Sequence, residues 1–269
     1  MIKRRGMGAG PVQKTLAWIG LGMMASSLIW LELLPASARS RLTSPRLGTQ
    51  GGPVELVIID PGHGGKDSGT MRNGVMEKDL TLDVARRVDR LARANGFSTL
   101  MTRNDDEWIS LAARASTANR ERECIFISIH FDEGARAEAS GVQTFYAVRQ
   151  HSKPTGLSSW LPFLQTVSDT PNNFESQSLA GFIQTSLVAG TQAFNRGTRA
   201  QQFYVVANVR HPAVLIEGGF LSNNEDLVKL TTEQYRQQLA AAITEGLVRY
   251  REIANQRQLT LAVGTSTPE

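Results

Sequence analysis

The sequence predicts a three-layer α/β/α domain built around a twisted, mostly parallel sheet. Apolar runs typical of strands alternate along the chain with amphipathic stretches typical of helices. The first apolar run is almost continuous, as expected for a sheet that is covered on both faces. Because such sheets bind ligands beside the carboxyl ends of their strands, the residues that follow each strand are the first candidates for function.

The first half of the domain contains three predicted strands and two predicted helices. The strands are the runs VELVIID, FSTLMTR and CIFISIHF. A helix precedes the second strand, with its apolar stripe at helical spacing and Gly96 suited to the position after its end. The stripe consists of Leu80, Val84, Val88 and Leu91. The second helix is DEWISLAARASTANRE.

The second half adds the strands GVQTFYAV, QFYVVAN and PAVLIEG and the helices ESQSLAGFIQTSLVAGTQAF and TEQYRQQLAAAITEGLVRYREIAN. Residues 149–174 hold three prolines and predict an insertion loop that either packs on the surface or covers a cleft. Ser222 and Glu225 form an S-x-x-E pattern that predicts a capping box. Residues 255–269 predict a flexible tail, which leaves 54–254 as the folded domain.

Residues 1–38 have the anatomy of a secretory signal peptide. A basic start and an apolar stretch precede Ala36-Ser37-Ala38, which offers small residues at a cleavage site. An uncleaved membrane anchor is the alternative, because the apolar stretch approaches the length that spans a bilayer. Residues 39–53 are polar and rich in Gly and Pro, as in a linker. Either interpretation predicts export to the periplasm or cell envelope, with membrane contact only through this leader.

The formal charge of +4 comes mainly from the leader. Four of the 29 basic residues and one of the 25 acidic residues precede residue 39, so the remainder is close to neutral. No clustered basic face is evident, and we therefore expect no nucleic-acid partner. Cys124 is the only cysteine, which excludes an intramolecular disulfide, and its apolar surroundings predict a buried thiol.

Three side chains have the chemistry of metal ligands. His63 follows the first strand, His130 lies at the end of the third, and Glu77 opens the first helix. Two imidazoles and one carboxylate form the ligand set of a catalytic zinc, which keeps a position for water. Each residue alone also has a structural interpretation, since an acid at a helix start complements the helix dipole. Their shared position at one end of the sheet favours the metal site.

Glu217 follows the apolar run AVLI, where a carboxylate is costly unless it is paired or faces a cleft. Burial raises a carboxyl pKa and suits a general base near neutral pH, so the residues predict a zinc hydrolase. We expect Asp60 to accept a hydrogen bond from a ligating histidine and Asp67 to satisfy its turn. His151 and His211 are expected in surface or turn positions.

Six segments in order resemble the zinc-dependent N-acetylmuramoyl-L-alanine amidases of bacterial cell walls over residues 54–250. They are VIIDPGHGGKDSG, the helix that begins at Glu77, TRNDD…SLAARASTAN, FISIH, NRGTRAQQFYVV and PAVLIEGGFLSNNED. The resemblance implies hydrolysis of the amide between the lactyl group of N-acetylmuramic acid and L-alanine of the stem peptide. It implies zinc binding and general-base catalysis by particular residues: His63, Glu77 and His130 as ligands and Glu217 as the catalytic glutamate.

The chain departs from the family pattern at two places. Phe131 stands where a small residue is usual, and the insertion at 149–174 is longer than in minimal members. Some family members block the zinc there with a helix that a protein activator removes, so such an activator is a candidate partner beside peptidoglycan. Arg196 also matches the family pattern, and both a substrate contact and a structural role remain open for it.

Two other functions are compatible with parts of the sequence. Another zinc peptidase of the cell wall, such as a carboxypeptidase, would share the metal site but also need a cation for a terminal carboxylate. A catalytically inactive peptidoglycan-binding protein would be expected to have lost a ligand or Glu217, yet all four residues are present.

Overall fold

The computed structural model describes residues 55–134, 138–150 and 173–264, with side chains described as far as residue 257. The predicted leader, the linker and most of the insertion, including His151, lie outside these ranges. Among the helices that are described, none is both long and apolar enough to cross a membrane.

Six strands form one mixed sheet, and two short strands form a separate hairpin. The sheet strands are β1 (Leu56–Pro61), β4 (Ser98–Met101), β5 (Ile125–Asp132), β6 (Val142–Tyr146), β7 (Asn195–Ala200) and β8 (Ala213–Phe220). The hairpin consists of β2 (Met71–Arg72) and β3 (Val75–Met76). The sheet order is β4-β1-β5-β8-β6-β7, and β4, β1, β5 and β8 are mutually parallel.

Helices cover both faces of the sheet, which confirms the predicted α/β/α fold. They are α1 (Glu77–Ala94), α2 (Leu111–Arg120), α3 (Phe174–Thr191), α4 (Tyr204–Ala207), α5 (Asn224–Thr231) and α6 (Glu233–Gly264). One core cluster joins the sheet to α1, α3, α5 and α6, and a second lies between the sheet and α2 and α4. Ile58 and Phe126 belong to the second cluster, whereas their neighbours Val57 and Ile127 belong to the first. This alternation places apolar side chains on both faces of the central strands.

The strands β6 and β7 run opposite to the other four. β6 pairs with β8 in antiparallel register, with Gln143 opposite Glu217, and β7 runs parallel to β6. The beginnings of β6 and β7 therefore reach the end of the sheet where β5 and β8 finish. We call this the site end, because it carries His63, His130 and Glu217.

The described residues on either side of 151–172 lie at the opposite end of the sheet. Gln150 Nε2 donates to the carbonyl of His211, just before β8 begins, at 2.8 Å. Asn173 Nδ2 donates to the carbonyl of Ala147, just after β6 ends, at 3.2 Å. The insertion therefore leaves and rejoins the domain away from the site end.

The run QFYVVAN is helix α4 rather than the predicted strand. Its apolar residues Val205, Val206 and Ala207 are all buried in the second core cluster, and a short apolar run does not distinguish a strand from a helix. The strand at this edge of the sheet is instead β7, whose residues are mostly polar and exposed. The closing helix α6 also continues to Gly264, so regular structure extends into the segment predicted as a tail.

The predicted capping box at Ser222 is wrong by one residue. Asn223 is the N-cap of α5, and its side chain accepts hydrogen bonds from the backbone N–H groups of Glu225 and Asp226. Ser222 Oγ instead accepts from the backbone N–H of Gly134 at 2.9 Å, which joins the loop after β5 to the turn after β8. Gly96 follows the C-cap of α1 with φ 81°, as predicted.

Asp83 joins α1 to α6 and makes the stability of the domain sensitive to acid. Arg87 Nε lies 2.9 Å from Asp83 Oδ2, and Arg236 of α6 donates to the same oxygen. Burial alone would raise the pKa of Asp83, but the hydrogen bonds from Arg87 and Arg236 outweigh it and lower that pKa below 3.8. The stabilisation is therefore present above the unfolded pKa and is lost as pH falls through the folded one.

We expect Asp83→Asn to lower the free energy of unfolding by about 1 kcal/mol near neutral pH and to have little effect near pH ~2. Thermal unfolding at both pH values measures the difference. Glu245→Gln is the matched control, since the one ion pair of Glu245 among the described residues is with Arg249, on the same exposed helix face. A loss of stability in Asp83→Asn that stays constant with pH would contradict this assignment.

Candidate active site

His63 lies on a tight loop that begins where β1 ends. The backbone N–H of Gly62 donates to the carbonyl of Ile129 at 3.0 Å, which extends the pairing of β1 with β5 by one residue. His63 itself has φ 58°, in the left-handed region that residues with a side chain seldom occupy. Strain of this kind persists only where the surrounding structure imposes it, and it concentrates at functional sites.

The buried guanidinium of Arg114, on α2, binds this loop and the end of β1 through hydrogen bonds. Its Nη1 donates to Asp60 Oδ1 at 2.8 Å and to the carbonyl of Pro61 at 2.6 Å. Its Nη2 donates to the carbonyl of His63 at 2.6 Å. The guanidinium of Arg114 thus fixes the backbone conformation of His63, and Asp60 neutralises the positive charge of that guanidinium.

Arg103, which is also buried, binds the same loop from the segment after β4. Its Nη2 donates to the carbonyls of Gly62 at 2.7 Å and Lys78 at 2.9 Å, and its Nε donates to Pro61 at 3.1 Å. The sequence analysis identified neither arginine as part of the site. Arg114 could have been recognised because it lies on the buried stripe of an otherwise alanine-rich helix.

The role expected for Asp60 is wrong, whereas Asp67 satisfies its turn as expected. Asp60 accepts hydrogen bonds from Arg114, Thr102 and Ser128 and contacts none of the described histidines. Asp67 Oδ2 lies 3.0 Å from His63 Nδ1, while its Oδ1 accepts from the N–H of Gly69 in the turn. The carboxylate beside His63 Nδ1 is therefore supplied by the residue four positions later, which also stabilises the turn.

Glu77 lies between the two histidines at the first residue of α1. Its Oε1 lies 3.0 Å from His63 Nε2 and 3.0 Å from His130 Nδ1, and it accepts from the N–H of Phe131 at 3.0 Å. Its Oε2 accepts from the N–H of Thr70 at 2.9 Å. Burial alone would raise the pKa of Glu77, but hydrogen bonding to His130 and His63 outweighs it and holds that pKa below the usual range.

One donor atom each from His63, Glu77 and His130 lie within 4.8 Å of one another, close enough to share a metal ion. The fit is also chemical, because two imidazole nitrogens and an ionised carboxylate oxygen form a ligand set typical of catalytic zinc. The structure therefore brings together the three residues that the sequence predicted as ligands. Their arrangement is compatible with a metal centre.

Glu217 lies beside His130, because the two residues are paired in the parallel register of β5 and β8. The residue is only 8% exposed, and its Oε2 has no hydrogen-bond partner among the described residues. Burial raises the pKa of Glu217 well above 4.5, and the negative charges of Glu77 and Asp132 add to that effect. A buried carboxyl oxygen without a partner is rare and indicates a group that works on a ligand.

The four residues line one cleft of about 470 Å³ at the site end. Most of the other side chains that line it are acidic: Asp67, Asp132 and Glu133. His211 lies outside this cleft, at the opposite end of the sheet, as expected for a residue that is not a ligand. Cys124 is buried in the second core cluster, and burial raises the pKa of its thiol to about 12, so it has no nucleophilic character.

Gly62 leaves the space that the His130 ring occupies. A Cβ at this position would lie 2.3 Å from His130 Cε1, so the ring would have to move. We expect Gly62→Ala to reduce zinc affinity at least tenfold by displacing His130, as measured by competition with a chromophoric chelator. Gly181→Ala, in α3, is the matched control because its Cβ would meet no atom within 4 Å. Unchanged zinc affinity in Gly62→Ala would contradict the placement of His130 as a ligand.

The chain is similar to a family of cell-wall enzymes and to their solved structures. A profile of the family described as N-acetylmuramoyl-L-alanine amidase (Amidase_3) matches residues 57–249. The uncharacterized protein YqiI of Bacillus subtilis (strain 168) is 35% identical over 200 residues, which cover 74% of this chain and 86% of YqiI. The crystal structure of N-acetylmuramoyl-L-alanine amidase from Clostridium difficile 630 matches with a TM-score of 0.63 and 30% identity, over 75% of this chain and 98% of that one.

One of the similar structures contains a partner protein. It is the CwlD amidase from Clostridioides difficile in complex with the GerS lipoprotein. Its TM-score is 0.63 at 26% identity, over 74% of this chain and 98% of that one.

Proposed function

The chain belongs to the N-acetylmuramoyl-L-alanine amidase family, and from this premise we propose that it hydrolyses peptidoglycan with a bound zinc ion. The bond cleaved is the amide between N-acetylmuramic acid and L-alanine of the stem peptide. The ion would be held by His63 Nε2, Glu77 Oε1 and His130 Nδ1. One observation supports this proposal above all. Glu217 is paired in register with His130 in the same cleft, and one of its carboxyl oxygens has no hydrogen-bond partner in the described part of the chain.

When bound, zinc supplies Lewis acidity, which polarises the amide carbonyl and acidifies the attacking water. Glu217 accepts the proton of that water as the new C–O bond forms. The raised pKa of Glu217 suits this role, because a carboxylate that holds a proton more tightly is a stronger base. Glu217 then gives the proton to the nitrogen of L-alanine as the C–N bond breaks, so the products are a lactyl carboxylate and a free amine.

The remaining residues of the site keep the ligands in place. Asp67 Oδ2 lies 3.0 Å from His63 Nδ1 and Glu77 Oε1 lies 3.0 Å from His63 Nε2, so a carboxylate lies beside each nitrogen of the ring. The N–H groups of Phe131 and Thr70 satisfy Glu77 from both sides and fix the direction of its carboxylate. These contacts preorganise the donor set on a sheet end and a helix start, which are rigid elements.

We also propose export and an external partner. The substrate lies outside the cytoplasmic membrane, and residues 1–38 have the pattern of a signal peptide or anchor. A family member of known structure was solved with a lipoprotein bound, which supports a protein partner for this chain as well. The insertion at 149–174, for which surface packing and a cover over the cleft both remain open, lies almost entirely outside the described residues.

Digestion of purified sacculi tests the proposed reaction. Wild-type protein should release stem peptides that begin with L-alanine, a chelator should stop the release, and added zinc should restore it. Zinc content is measured in parallel, and Glu77→Gln should lower it well below one ion per chain. Release of D-alanine without peptides that begin with L-alanine would show a carboxypeptidase instead. Release of neither would support an inactive binding protein.

A further inference from the structure

We propose that Arg196 binds a carboxylate of the stem peptide at the rim of the cleft and so makes the enzyme selective for peptides that carry this charge. This inference rests on the proposed function, because it concerns the substrate of the same site. Arg196 would contact the stem peptide, which is the leaving group, whereas the zinc ligands and Glu217 act on the amide bond that is cleaved.

Arg196 lies at the site end of the sheet because β6 and β7 run opposite to the other strands. Gln143 lies opposite Glu217 in the sheet, and its Nε2 donates to the backbone carbonyl of Arg196 at 3.2 Å. The guanidinium of Arg196 lies over the ring of Phe220, 4.6 Å from its centroid, and Phe220 is paired with Asp132, which lines the cleft. Both contacts place the cation at the site end.

The guanidinium of Arg196 has hydrogen-bond donors for which the described residues provide no close acceptor. Its Nε is buried and has no partner among the described residues. Its Nη1 makes one long hydrogen bond, 3.4 Å, to the carbonyl of Ser140. Buried donors are almost always satisfied, so unused donors on a charged group indicate a ligand. In contrast, the buried Arg114 uses its Nε and both Nη atoms on carbonyl and carboxylate oxygens.

The contact with the Phe220 ring suits Arg196 to binding a carboxylate. Stacking on Phe220 restrains the planar guanidinium, and a restrained guanidinium suits bidentate binding of a carboxylate. The cleft is otherwise acidic, with Asp67, Asp132 and Glu133 on its wall, and this charge would repel an anionic peptide. A cation at the rim offsets the repulsion for a substrate whose carboxylate falls beside it.

The chemistry of the substrate indicates which carboxylate this is. The carboxyl group of L-alanine is consumed in the next peptide bond, so the nearest free carboxylate on the leaving side belongs to the second residue. A second cation, Lys66, follows the His63 loop and lies 4.3 Å from the ring centroid of Trp108. Lys66 is the alternative cation that could bind this carboxylate, and Lys66→Gln is therefore one of the variants tested.

Two synthetic muramoyl dipeptides test the inference, one with glutamate as the second residue and one with isoglutamine. The γ-carboxyl group is blocked as an amide in both, so the two differ only in whether the α-carboxyl group is a carboxylate or a carboxamide of the same shape. Wild type should prefer glutamate in kcat/KM by about 10- to 100-fold, mainly through KM, the range that a charged hydrogen bond supplies. Arg196→Gln should bring the ratio near one, and Arg196→Lys should restore part of it. Arg199→Gln removes a charge from the same strand, away from the site end, and should keep the wild-type ratio.

A wild-type ratio near one would overturn the inference, as would a preference that survives in Arg196→Gln or disappears in Lys66→Gln. Thermal unfolding checks that Arg196→Gln is folded. Binding of both dipeptides to zinc-loaded Glu217→Gln, measured by calorimetry, gives the same ratio without turnover. The two proposals therefore fail in different ways. If the proposed reaction is wrong, neither dipeptide is cleaved. If only the role of Arg196 is wrong, both dipeptides bind equally well.

Discussion

Glu217→Gln is expected to lower kcat/KM by about 10²- to 10⁴-fold, the contribution typical of a positioned general base. The amide side chain has nearly the same shape but cannot accept the proton of the attacking water. The zinc content should remain that of wild type, since Glu217 is not among the three donors that lie together. Kinetics on a muramoyl peptide together with metal analysis measure both quantities.

Glu133→Gln is the matched control for this change. Glu133 lines the same cleft and is exposed, so its replacement removes one negative charge without removing the buried carboxylate. We expect its kcat/KM to stay within a few-fold of wild type. A loss in Glu133→Gln as large as that in Glu217→Gln would show that the charge of the cleft, rather than a base, governs the rate.

Arg114→Met is expected to destabilise the domain by about 3–5 kcal/mol, the cost typical of removing one partner from a buried ion pair. Asp60, at 1% exposure, would be left without its cationic partner, the carbonyl of His63 would lose its donor, and that of Pro61 would lose one of its two donors. Since Arg114 also fixes the loop that carries His63, zinc affinity should fall in the same variant. Chemical denaturation of the zinc-free protein separates the loss of stability from the loss of metal.

A double-mutant cycle with Asp60→Asn identifies the cause. If the buried charge of Asp60 dominates the loss, the double variant should be more stable than Arg114→Met. If the loss comes from the unpaired loop carbonyls, the double variant should be no more stable, while zinc affinity should remain low. A loss in Arg114→Met below about 1 kcal/mol would contradict the role of this residue as the support of the loop.

The sequence predicted the convergence of His63, His130 and Glu217 because that convergence follows from a simple rule. Each lies near the carboxyl end of a strand, and the strands β1, β5 and β8 are parallel neighbours. Glu77 was predicted on residue type and on its place at a helix start, and it is indeed the first residue of α1. Local patterns sufficed for these residues, since strand ends and helix starts are local features.

The positions of Arg103, Arg114 and Arg196 could not be predicted in the same way. The two buried arginines act on backbone carbonyls some forty to fifty residues away in sequence, and no local pattern encodes such pairs. Arg196 reaches the site only because β6 and β7 are reversed, which depends on long-range strand pairing. The polar strand β7 and the apolar helix α4 also show tertiary packing overriding local preference.

The reversal of β6 has a further consequence for how this scaffold tolerates new sequence. The described residues that flank 151–172 lie beside Ala147 and His211, at the end of the sheet opposite to His63, Glu77, His130 and Glu217. Lengthening a loop costs little free energy when its two ends are already held together. A reporter or a wall-targeting module could therefore be inserted between Gln150 and Asn173. The candidate active site, at the opposite end of the sheet, should keep its geometry.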